Sequence, residues 1–199
     1  SYDRAKIDGN LITVPMVDPF SNLSGGQTNV VNVTAVEIVI GNGGNGSTTE
    51  TYGDEGVGVP VLIDTGVASW YLTEKTWAPI YHALGGVGDP DPADRYTTVD
   101  CKYADPARSD GNITVVFGPH GKITVPFHAL VSKFPDGTCG VYISSRGDIL
   151  AIFGDPFLRG VYSIFDQENF SITMGHVKHT DKEDIVPLPE GGFKPTQLG

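Results

Sequence analysis

The sequence predicts an all-β domain carrying a few short helices. Two observations predict it. Runs rich in Val, Ile and Thr recur along the chain, each bounded by Gly, Asn, Asp or Pro. Helical periodicity, by contrast, is weak and confined to one convincing stretch. With 199 residues, 39% hydrophobic and 19% charged, the chain has the composition of a globular domain and enough length to bury a sizeable core.

Strands are expected at 11–16, 30–40, 59–63, 113–117 and 123–127. Gly118-Pro119-His120-Gly121 reads as the connection of a hairpin, and 161–165 with 170–174 form a second hairpin around a turn at 166–169. The helix is expected over 73–84, where Trp77, Ile80, Tyr81 and Leu84 fall at i, i+3, i+4 and i+7. Pro79 fits that helix only if it starts late, near Thr76. Asp155-Pro156 reads as an N-cap followed by proline at the first helical position, with Arg159 as a nearby counter-charge. Loops are expected over 41–58 and 85–95, the first Gly/Asn/Ser-rich, the second carrying Asp89-Pro90-Asp91-Pro92 turn chemistry. A Pro/Gly-rich surface tail follows from about 181 to 199, and the chain reads as one domain over 1–199.

Chemistry enters at Val61-Leu62-Ile63-Asp64-Thr65-Gly66-Val67. A hydrophobic strand here runs straight into an acid. Burying a carboxylate without partners is costly, so the strand delivers Asp64 to a polar site. Gly66 lets another backbone approach closely. The competing reading is a strand followed by an ordinary turn.

Four stretches, in order, resemble the C-terminal lobe of the pepsin-like aspartic proteases, fungal secreted or cell-surface members in particular. They are Tyr2-Asp3-Arg4-Ala5-Lys6-Ile7-Asp8-Gly9-Asn10-Leu11, the Asp64-Thr65-Gly66 loop, the pair Cys101 and Cys139, and Ile152-Phe153-Gly154-Asp155-Pro156-Phe157-Leu158-Arg159. The resemblance implies one lobe of the double-ψ acid protease fold and an aspartic endopeptidase working at acid pH. It implies Asp64 as a catalytic carboxylate, and Thr65, Gly66, Val67, Ala68 and Ile152 as substrate-side residues. Thr65 would brace the two catalytic loops, Gly66 would bond substrate through its backbone, and Gly154 would mark where a crossing strand passes the loop. Cys101 and Cys139 would form the lobe's disulfide.

Two carboxylates are required for this chemistry. Held close together they share one proton, the behaviour for which aspartic protease dyads are known. One takes a proton from water and the other polarises the scissile carbonyl. The sequence holds one D-T-G and no D-S-G, so it supplies half a site. The expected partners are an N-terminal protease lobe and a peptide or protein substrate. Val67 departs from the family, which usually places a hydroxyl there to donate to the carboxylate. An inactive relative that binds peptides or proteins is the alternative, and a self-associating lobe ranks third.

A net charge of −11 argues against nucleic acid, since nothing could neutralise phosphates. No apolar run reaches membrane-spanning length. Five N-x-S/T sequons, at Asn22, Asn32, Asn45, Asn112 and Asn169, indicate a secreted or cell-surface glycoprotein, and without a leader or initial Met the chain reads as a mature or excised segment. No metal or cofactor is expected. The two cysteines alone cannot build a zinc site, and His176 and His179 lack a third ligand nearby.

Overall fold

The computed structural model describes residues 1–19, 29–40, 48–51, 58–86, 96–107, 110–145, 150–188 and 190–192. Strands dominate them. A five-stranded mixed sheet runs in the order Ile143–Ser145, Trp70–Leu72, Ala151–Phe153, Val59–Ile63, Val30–Val33. An antiparallel sheet of four follows the order Lys122–Pro126, Gly111–Val116, Ala35–Ile40, Thr48–Thr51. A third sheet carries Val161–Asp166, Ser171–Val177 and Ile7–Pro15. A smaller one joins Val131–Lys133, Cys139–Val141 and Thr97–Thr98.

The strand expected over 30–40 is two strands, and the break at Thr34 has a clear cause. Val30–Val33 pairs with Val59–Ile63, whereas Ala35–Ile40 pairs with Gly111–Val116 in another sheet. Thr34 pins the crossing: its N–H and hydroxyl both donate to Val116 carbonyl, and its hydroxyl accepts from Gly118 N–H at 3.0 Å. Both hairpins form. Lys122 pairs with Val116 across residues 118–121, and Asp166 pairs with Ser171.

The helix runs Glu74–Ala83, and Trp77, Ile80, Tyr81 and Leu84 are all buried. It starts earlier than Pro79 was expected to allow. Thr73 accepts from Thr76 N–H and fixes the start. The carbonyl that Pro79 leaves without a helix partner belongs to Lys75, an exposed residue of the first turn, where water can serve it. A second correction concerns Asp155. The short helix Asp155–Leu158 is capped by Gly154, with no side-chain cap, and Asp155 is its first residue. Its carboxylate instead accepts from Arg159 Nε at 2.8 Å. A third concerns the loop read over 41–58: Thr48–Thr51 is a strand, paired with Ala35–Ile40. The rest of 41–57, and 87–95, lie outside the described residues. In the tail, Ile185–Val186 pairs with Tyr2–Asp3, and Arg4 Nε donates to Asp184 at 2.8 Å beside that pairing.

One large apolar core lies between the sheets, its biggest fully buried side chains being Trp70, Trp77, Phe117, Phe127, Phe153 and Phe157. A small satellite of Tyr2, Leu11 and Ile164 sits under the third sheet. Cys101 and Cys139 are bonded, with Cα atoms 5.1 Å apart.

Candidate active site

The loop that carries Asp64 lies at a topological crossing. Val59–Ile63 and Trp70–Leu72 are consecutive strands joined by residues 64–69, yet they are not neighbours. Ala151–Phe153 lies between them, parallel to the first and antiparallel to the second. The loop 64–69 therefore has to arch over the end of an inserted strand. Asp64 sits at the start of that arch, half-buried, its N–H donating to Phe153 carbonyl at 3.1 Å.

The loop's conformation follows from its small residues. Gly66 N–H turns back to donate to Asp64 Oδ1 at 2.8 Å, which orients the carboxylate. Asp64 Oδ2 has no hydrogen-bond partner among the described residues. At the far side, Val67 carbonyl accepts from Asp155 N–H at 2.8 Å. Gly154 has no room for a side chain, because a Cβ there would overlap the carbonyl oxygens of Val67 and Ser69. A glycine where two backbones touch is the reason the crossing strand can reach the loop at all.

Beneath the loop its two ends are nailed into the core. Trp70, the first residue after it, meets Phe153 edge-on at 5.0 Å and Phe157 at 5.4 Å, and Phe153 meets Phe157 at 5.0 Å. Aromatic pairs of this kind contribute about 0.5–1.5 kcal/mol each beyond their burial. On the other flank, Asn29 carbonyl accepts from Ile63 N–H at 2.8 Å, and Asn29 Oδ1 accepts from Gln167 Nε2 at 2.7 Å.

The residues singled out in the sequence divide as follows. Asp64, Thr65, Gly66, Val67 and Ala68 form one continuous loop; Thr65, Gly66 and Ala68 are exposed and Val67 is half-buried. Ile152, half-buried, stands on the inserted strand, paired with Leu62 and Tyr71. Asn32 and Asn112 are half-buried strand residues and Asn169 is exposed in a turn, whereas Asn22 and Asn45 lie outside the described residues. His176 and His179 are both exposed. Among the described residues, no group of three or more His, Cys, Asp or Glu is placed to hold a metal. No helix there is long and apolar enough to cross a membrane.

Sequence reasoning missed Asn29 and Gln167. Asn29 meets Ile63 through its backbone carbonyl and Gln167 through its side chain, and Gln167 reaches it from a distant hairpin. Neither carries a local pattern that would have marked it.

Comparisons with known proteins identify the family. Residues 1–177 match the family described as eukaryotic aspartyl protease. The chain is 29% identical over 195 residues to Secreted aspartic protease 9 of Candida albicans, covering 97% of this chain and 34% of that protein. It is 28% identical over 193 residues to Secreted aspartic protease 6 of the same species, covering 94% and 40%. With Aspartic proteinase yapsin-3 of Saccharomyces cerevisiae it shares 26% over 188 residues, covering 93% and 35%. The chain thus spans well under half the length of these relatives. The match along nearly the whole chain places it in the eukaryotic aspartyl protease family.

Proposed function

We propose that this chain is the C-terminal lobe of a secreted aspartic endopeptidase and supplies Asp64 as one of two catalytic carboxylates. An N-terminal lobe brings the second. The observation that carries this reading is the state of Asp64: one carboxylate oxygen is tied to Gly66 N–H and the other has no partner among the described residues, on a loop whose next residues are exposed.

In the assembled enzyme the two carboxylates titrate as a unit. One accepts a proton from the attacking water, and the other donates to the scissile carbonyl and then to the leaving amine. Gly66 holds the Asp64 carboxylate in a fixed plane, so little reorganisation is needed as charge moves. The exposed Thr65 is the residue that would brace the second lobe's loop. Ile152 would form an apolar wall for a substrate side chain, and Val67 and Ala68 would border it. Peptide or protein is the substrate class. Secretion is supported by the sequons, the disulfide and the names of the relatives.

The test is hydrolysis of an acid-denatured protein by the full two-lobed enzyme and by Asp64→Asn. An amide cannot cycle the proton, so the variant should lose essentially all activity while unfolding at the same temperature. This chain alone should cleave nothing. Retained activity in Asp64→Asn overturns the role of Asp64. Activity of the isolated chain, abolished by the same substitution, would show that two copies complete the site.

A further inference from the structure

The turn 166–169 and the tail meet at one side chain, Asn169. Its N–H donates to Asp166 Oδ1 at 3.0 Å and its Nδ2 to Asp166 Oδ2 at 2.9 Å. Gly192 is laid directly on that amide: a Cβ on Gly192 would lie 2.9 Å from Asn169 Cγ and would overlap Nδ2. Gly191 and Gly192 have φ of 84° and 89°, left-handed values that glycine adopts without strain. Together with Leu188 and Glu190 they close a cleft of about 450 Å³ against residues 165–169. The seat is built for a segment with no side chains.

Asn169 is also the acceptor of the sequon Asn169-Phe170-Ser171. Of the three sequon asparagines described, it is the exposed one, on a turn, while Asn32 and Asn112 lie within paired strands. We propose that Asn169 is an N-glycosylation site whose occupancy decides whether residues 190–192 can seat. The transfer joins Nδ2 to C1 of the first sugar of a polyprenyl-diphosphate-linked oligosaccharide. The C1–O bond to the diphosphate breaks, polyprenyl diphosphate leaves, and Nδ2 gives up one proton. A pyranose ring attached at Nδ2 is far larger than the methyl group that Gly192 already excludes. Bare, the amide is a clasp for Gly191-Gly192; glycosylated, it displaces them. The inference rests on the secretory reading above, because this transfer takes place in the secretory pathway.

The experiment uses this chain expressed through a eukaryotic secretory pathway, with each sequon mapped by mass spectrometry. Ser171→Ala removes the sequon and keeps the Asn169 amide; Ser171 itself is half-buried at a strand end. Cleavage after Glu190 by a glutamate-specific protease reports the open tail. The glycosylated form should be cut about tenfold faster than Ser171→Ala, since cleavage follows the open population. Simple shielding by the sugar would act in the opposite sense. Adding Gly192→Val to Ser171→Ala should restore fast cleavage without any sugar. Equal or slower cleavage of the glycosylated form overturns the proposal, and so does failure of Gly192→Val to open the tail. Asn169 found bare while other sequons are occupied sinks this inference alone; five bare sequons sink the secretory reading with it.

Discussion

Gly154 and Val67 are in backbone contact: Gly154 leaves no space for a β-carbon against the Val67 carbonyl, and that oxygen accepts the N–H of Asp155 at 2.8 Å. The contact is what holds the Asp64 loop down on the inserted strand.

Gly154→Ala should therefore separate the two segments or unfold them. Overpacking at a backbone–backbone contact, with no flexible side chain to yield, should cost about 3 kcal/mol or more. Urea unfolding of this chain measures it. A loss within experimental error of zero would show that the loop can lift without penalty.

Val67→Thr tests the missing hydroxyl in the assembled enzyme. A donor returned beside Asp64 favours its ionised form, so activity should extend further into acid. The two side chains have nearly the same shape, so the fold should be unchanged. The pH profile of kcat/KM is the measurement. An unchanged or alkaline-shifted profile means that position 67 does not face the carboxylate.

The disulfide closes a loop of 38 residues. In the chain-entropy account its removal should cost about 4 kcal/mol. Replacing both Cys101 and Cys139 with alanine and measuring urea unfolding checks this. A loss below about 1 kcal/mol would mean that the unfolded chain without the bond retains enough structure to keep the two ends close.

Asp136 gives a pH-linked prediction. Thr138 donates to Asp136 Oδ1 from its hydroxyl at 2.7 Å and from its N–H at 3.0 Å, and these bonds hold the carboxyl below the usual carboxylate range. The folded value lies below the unfolded one. Its contribution to stability is then present above the unfolded value and is lost as pH falls through the folded value. Thr138→Val removes the hydroxyl donor and should move the Asp136 midpoint up. An NMR titration of the side-chain carboxyl reads it directly, and an unmoved midpoint would assign the effect to the backbone donor alone.

The sequence was most legible where a residue's role is local. The run 59–63 is a strand ending at Asp64 because its apolar composition and the following D-T-G both act within a few residues. Trp77, Ile80, Tyr81 and Leu84 share a buried helix face because that periodicity is intrinsic to the chain. Legibility failed where tertiary pairing decides. Nothing in 30–40 announces that Thr34 will be captured by the 116–118 hairpin. At Asp155 the counter-charge Arg159, one turn later, was readable from its spacing, but not that Gly154 takes the cap position and leaves Asp155 as the first helical residue. The site shows the same division: the loop 64–68 was readable, whereas the support from Asn29 and Gln167 arrives from backbone geometry and distant sequence.

The inserted strand also sets an order of events. Residues 64–69 are translated well before the strand that fixes them, Ala151–Phe153, and before the N–H of Asp155. Pairing across so long a separation has to pay loop-closure entropy first, which slows it. A nascent chain that has reached residue 140 therefore carries its aspartate with no arch to hold it. The acid acquires a defined position only when synthesis has passed residue 155.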